Sequence, residues 1–165
     1  AIAVTSGPGS YTGLRVGFAS AKGLCYALNL PLIAIPTTVV MSSAALKEIR
    51  STNAFLLCPM IDARRMEVFT CLYTAQLDPL SSIGAKILEP GSFAPELEQQ
   101  PVYFFGDGAP KWQSICLHPN ARFVNFNWTA ADMTKIAVDR FEQKNFTSLA
   151  YSTPDYGKEF HSTQL

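Results

Sequence analysis

The chain has 165 residues, enough for one domain or for two small half-domains sharing a core, which excludes a large multidomain enzyme. Hydrophobic residues make up 48% and charged residues 16%, so there is ample apolar side chain to offset the entropy of ordering, and a disordered chain is excluded too. Thirteen Lys plus Arg balance thirteen Asp plus Glu, and a net charge of +0 argues against a nucleic-acid binder that works alone by neutralising phosphates.

Ala1-Ile2-Ala3-Val4 is an apolar, strand-like run with no Met before it, and it reads as the middle of a sheet with residues missing upstream. The breaker cluster Thr5-Ser6-Gly7-Pro8-Gly9-Ser10 follows, then a helix over residues 11–29. Leu14, Phe18, Ala21, Leu24, Cys25 and Leu28 recur at three- and four-residue spacing and predict its buried stripe. Pro31 and Pro36 bound a short apolar strand over 32–35, and Thr37 or Thr38 caps a second helix to about residue 49, with Val40, Ala44, Ala45 and Leu46 inward. Two strand-helix steps in succession predict parallel pairing.

Beyond a boundary near residues 50–53 the pattern changes. Residues 55–61 and 66–73 predict a β-hairpin around Asp62-Ala63-Arg64-Arg65, with Pro59 making the first strand irregular or placing it at an edge. A third strand is expected over 85–88, a short helix over 92–99, a strand over 102–105, and a turn at Gly106-Asp107-Gly108-Ala109-Pro110 opening a helix to about residue 117. A strand over 123–126, a cap at Thr129 and a helix over 131–141 complete the series, and the pattern from Asn145 onward is irregular. The expected domains are 1–50, the remainder of a first half-domain; 51–145, a second of order β-β-β-α-β-α-β-α; and 146–165, an irregular tail.

Three loops could carry chemistry. Gly7-Pro8-Gly9-Ser10-Tyr11-Thr12-Gly13 lies between a strand and a helix, where backbone N–H groups can hold an anion, but Leu14 stands where a Walker loop needs Lys, and a tight turn capped by Ser10 explains the same residues. Asp62, Arg64, Arg65 and Glu67 crowd the hairpin tip, as a solvated turn or as a docking or ligand-facing loop. Gly106, Asp107 and Gly108 can face a nucleotide or simply turn the chain.

Standard catalytic sets are missing from the sequence. His118 and His161 fall in no metal-ligand spacing, no nucleophile elbow occurs, and the four cysteines form no CxxC pair, which fits reduced, buried thiols and a cytoplasmic protein. The longest apolar stretches are far shorter than the ~20 residues that span a bilayer. No membrane partner and no metal site are expected.

The string from Gly7 through Gly17, continuing through Ala21-Lys22-Gly23-Leu24 to Pro31, resembles the hallmark segment of the bacterial TsaB (YeaZ) family. Asp62-Ala63-Arg64-Arg65-Met66-Glu67-Val68-Phe69 and Gly106-Asp107-Gly108-Ala109 resemble its second and third signatures, in the same order. Pro154-Asp155-Tyr156-Gly157-Lys158 resembles its Pro-x-Tyr-x-Arg ending, with Lys158 in the Arg place.

The resemblance implies the actin-like, Hsp70-like ATPase (ribonuclease H-like) superfold, an α/β architecture of two half-domains, here without its first strands and first helix. It also implies a non-catalytic subunit that pairs with the transferase paralogue TsaD, works with the ATPase TsaE, and reaches tRNA only indirectly in making threonylcarbamoyladenosine at position 37. The partner interface would be built on the glycine-containing helix, from Tyr11, Gly13, Leu14, Gly17, Phe18, Ser20, Ala21 and Leu24, facing the transferase or a second copy of the chain. The alternatives are a nucleotide-binding regulatory module, with ATP or ADP at the partner interface, and a glycoprotease-like peptidase.

Overall fold

The computed structural model of the chain describes residues 1–157. Ile2–Gly7 forms strand β1, Tyr11–Leu28 helix α1, Leu32–Pro36 strand β2 and Thr37–Glu48 helix α2. Strand β1 pairs with β2 in parallel, Ile2 opposite Leu32 and Thr5 opposite Ile35. The expected parallel pairing is therefore present. Ser10 caps α1, its Oγ accepting from the Gly13 N–H at 3.3 Å, and Asn29 ends it in the left-handed conformation at φ 52.

Leu56–Asp62 (β3), Glu67–Thr70 (β4), Gly84–Ile87 (β5), Val102–Phe105 (β6) and Ala121–Phe123 (β7) build a second, mixed sheet in the order β5-β4-β3-β6-β7. Helices α3 (Ala94–Gln99) and α4 (Ala109–Gln113) flank β6 in sequence, each with Pro at its start. A 3-10 turn over Ala130–Met133 leads into α5 (Thr134–Glu142). Thr129 and Asp132 cap that turn reciprocally: Thr129 Oγ1 accepts from the Ala131 N–H at 3.2 Å and Asp132 Oδ2 from the Thr129 N–H at 2.7 Å.

Strand β3 is central, so Pro59 does not mark an edge. The missing N–H acts locally instead: the β3–β4 ladder runs from Asp62 to Met60, breaks at Pro59, and resumes as a single bridge between Leu57 and Tyr73. That break ends β4 at Thr70 rather than at 73. Strand β7 begins and ends earlier than 123–126, because register with β6 pairs Val102 with Ala121 and Phe104 with Phe123. Helix α4 stops at Gln113, where the N–H groups of Ile115 and Cys116 both turn back to the Trp112 carbonyl.

Helix α2 holds the two sheets together. Met41 and Ala45 pack with Leu57, Tyr73 and Phe105 of the five-stranded side, while Val40 packs with Ile33, Ile35 and Met133 beside the two-stranded sheet. A helix gripped on two sides must be apolar or small nearly all round, and Thr37, Thr38, Val40, Met41, Ser42, Ala44 and Ala45 are all buried. The other face of the large sheet covers an aromatic cluster of Phe93, Phe104 and Trp112.

Residues 145–157 have no helix or strand, yet they are tied down. Thr147 donates its N–H to the Leu32 carbonyl at 2.8 Å and accepts from the Ala34 N–H through Oγ1 at 2.9 Å; Lys22 Nζ donates to the Ser152 carbonyl at 2.9 Å; and the Asp155 N–H reaches the Ser6 carbonyl at 2.7 Å. The ring of Tyr156 lies 4.8 Å from that of Tyr11. The segment straps one flank of α1. Lys158 and His161 lie outside the described residues.

Candidate functional site

The loops singled out in the sequence meet at one end of the two sheets. A cavity of about 400 Å³ is lined by Gly9, Ser10 and Gly13 at the start of α1, by Thr37 and Met41 at the start of α2, and by Ile61, Asp107 and Trp128. A second, of about 550 Å³, adjoins it through Met41, Asp107 and Trp128 and extends past Gly106. Two helix N-termini thus open on the same space. Thr37 is 6% exposed and its Oγ1 has no hydrogen-bond partner among the described residues.

Glycine is needed at two of these positions. Gly7 turns at φ 114 and a Cβ there would run into the Asp155 carbonyl, while Gly106 turns at φ 100 with no room between Met60 and Met41. Asp107 is no free base: its Oδ1 accepts from the Asp62 N–H at 2.9 Å and so ties the Gly106-Asp107-Gly108 turn to the β3–β4 hairpin.

Asp62 is in turn committed. Its Oδ1 accepts from Lys111 Nζ at 2.7 Å and from the Arg64 N–H at 2.6 Å, and these two donors, Lys111 foremost, hold the carboxyl below its ordinary value. A depressed native value stabilises the fold above the unfolded value and the benefit is lost as pH falls through the native one, so the pair contributes least in acid. Lys111→Met is expected to bring the Asp62 titration back toward 3.8, followed by carboxyl-carbon NMR, with little change in stability because the Asp62 side chain is 41% exposed. An unmoved titration would show that Lys111 is not what holds the charge.

No group of three or more His, Cys, Asp or Glu that could hold a metal ion occurs among the described residues. All four cysteines are buried and free, and burial pushes the Cys58 thiol up to about 12, so it is no nucleophile at neutral pH. No helix among the described residues is long and apolar enough to cross a membrane.

A family model described as "TsaD: tRNA N6-adenosine threonylcarbamoyltransferase" matches residues 1–156. This chain belongs to that family. Within it the chain stands with the TsaB/YeaZ proteins. It is 39% identical over 72 residues to the tRNA threonylcarbamoyladenosine biosynthesis protein TsaB of Bacillus subtilis (strain 168), covering 44% of this chain and 29% of that protein. The TsaB of Escherichia coli (strain K12) is 38% identical over 73 residues, covering 44% and 30%. The matched part thus spans under a third of each curated relative. Two Pseudomonas aeruginosa structures share the mixed α/β fold: one described as similar to peptidase YeaZ (TM-score 0.77, 21% identity, 94% of this chain and 73% of that one), the other as YeaZ (TM-score 0.72, 20% identity, 93% and 73%).

In this TsaB/YeaZ chain the helix singled out for partner contact divides into two sets. Leu14, Phe18 and Ala21 are buried in the chain's own core, and Tyr11 lies on the strapped flank, where it also accepts from Arg15 at 2.8 Å. Gly13, Gly17, Ser20 and Leu24 point away from that core. Leu24 and Leu28, expected in the buried stripe, are 51% and 59% exposed. At 100° per residue Gly13, Val16, Gly17, Ser20, Gly23, Leu24, Ala27 and Leu28 share one side of the helix, without a single charge. The sequence marked Thr37 and Thr38 only as candidate caps of α2, and neither caps it: the helix starts after Pro36 with no side-chain cap bond, Thr37 Oγ1 has no partner among the described residues, and Thr38 Oγ1 bonds the Tyr73 hydroxyl at 2.7 Å. Met41 and Trp128 were not singled out, since they join the site only through the packing of α2.

Proposed function

We propose that this chain is the scaffold subunit of tRNA threonylcarbamoyladenosine biosynthesis, docking the catalytic transferase paralogue of its family on α1 rather than performing the chemistry itself. In this reading the two sheets belong to the half-domains of an actin-like fold. The supporting observation is the uncharged outer side of α1. Val16 is 62% exposed, Leu24 51% and Leu28 59%, and a Cβ on Gly17 or Gly23 would meet nothing within 4 Å among the described residues. Glycine costs about 1 kcal/mol in a helix interior, and no described residue uses the space it leaves. A partner helix crossing closely at these positions would.

Light scattering after gel filtration of the full chain mixed with the organism's transferase subunit tests this. A stoichiometric complex is expected; two separate peaks at micromolar concentrations would sink the reading, and a homodimer alone would point to a second copy of the chain on α1.

One observation favours a second reading, a nucleotide-binding regulatory module: the buried, unpartnered Thr37 Oγ1 beside two helix N-termini. Calorimetry with ATP and ADP separates the two, because a scaffold without a nucleotide site gives no heat of binding.

A further inference from the structure

The β3–β4 hairpin tip carries an anomaly that its fold does not require. Arg64 and Arg65 occupy the left-handed region in succession, at φ 69 and φ 47, a conformation that costs a residue with a Cβ and costs glycine nothing. Turns of this kind are ordinarily built with Asn and Gly. The tip is nevertheless well ordered by its own bonds: the Ala63 N–H reaches the Glu67 carbonyl at 3.1 Å, the Glu67 N–H the Arg64 carbonyl at 3.1 Å, and Asp107 holds the Asp62 N–H. Both arginines are exposed. Neither guanidinium makes a hydrogen bond or ion pair with another described residue: of the two acids beside them in sequence, Asp62 is already paired with Lys111, and Glu67 is not free either. The strand that leads into the tip faces the start of α1, since Ile61 of β3 lines the same cavity as Ser10 and Gly13.

We propose that Arg64 and Arg65 form an electrostatic anchor for carboxylate side chains of the subunit docked on α1. The inference rests on the scaffold reading above. A guanidinium forks onto a carboxylate with two parallel bonds, and two such forks at the end of a helix interface fix its register and speed its encounter. An RNA backbone is the weaker candidate, because two cations on a chain of net charge +0 release too few counterions to hold a polyanion.

The double variant Arg64→Asn, Arg65→Gly removes both charges and relieves the backbone together, so folding and docking move in opposite directions. Its melting temperature is expected to stay level or rise, while association with the transferase subunit at low salt slows about ten-fold and loses most of its salt dependence. Association at the wild-type rate overturns the anchor. So does an intact protein pair whose complex no longer retains tRNA, which would assign the tip to RNA. Gly17→Leu serves as the control: if it blocks pairing while the double variant pairs normally, only the anchor fails, and if it leaves pairing intact the scaffold reading fails first.

Discussion

Gly17→Leu is expected to abolish pairing with the transferase subunit while leaving the chain folded. The position lies inside α1, on the side turned away from the core, and a Cβ there meets no atom of the described residues within 4 Å. Leucine is the better helix former by nearly 1 kcal/mol, so thermal stability should hold or rise slightly. A partner packed against the glycine would instead face a branched side chain in a filled space. Overpacking costs about 1–3 kcal/mol, up to ~100-fold in affinity, enough to dissolve a micromolar complex on a column. Melting curves together with light scattering of the mixture check both halves. A Gly17→Leu protein that melts normally and still pairs would mean that the partner does not approach this side of α1.

Trp112→Ala should be the most damaging single change to the fold. The indole is fully buried, with Phe93 at 5.3 Å and Phe104 at 6.0 Å between ring centroids, and the two phenylalanines are themselves 5.2 Å apart. Emptying such a site costs about 3–5 kcal/mol, a large part of the ~5–15 kcal/mol that holds a domain together. Trp112→Phe is expected to cost much less. It keeps an aromatic ring in the cluster and deletes the indole N–H, which has no hydrogen-bond partner among the described residues. Urea titrations of the two variants decide the matter, and a loss under about 1 kcal/mol for Trp112→Ala would show that the cluster collapses around the gap.

Most of the elements were legible because their ends are marked locally. Ser10 and Thr129 stand at helix starts, Asn29 at a helix end, and Pro31 and Pro36 bracket β2, each acting within about one turn of chain, whereas the cap expected of Thr37 or Thr38 does not form. The three motif-bearing loops were legible for the same reason. Their convergence was not, because it depends on how α2 and the strand ends meet in space. Pro59 shows the limit well. Its missing N–H predicts a broken ladder, and one occurs, but whether the strand is central or at an edge depends on β6, more than forty residues further on.

Periodicity misled in one place and was silent in another. In α1, Leu24 and Leu28 fit the apolar spacing of Leu14, Phe18 and Cys25, yet they stand exposed, because only a narrow line of the helix meets the body of the protein. In α2, burial on two sides leaves no amphipathic stripe to find, so Thr37, Met41 and Ser42 gave no sign of being inside. The tail, patternless from Asn145, owes its course to long-range bonds with Lys22, Leu32, Ala34 and Ser6. By itself the sequence determined the order of the elements, the caps at Ser10 and Thr129 and the family to which the chain belongs, since these are written in neighbouring residues. Which side of α1 lies open, what α2 joins and which loops share a cavity were decided only by tertiary structure, because burial depends on the surface that comes to lie opposite, and that surface belongs to residues far away along the chain.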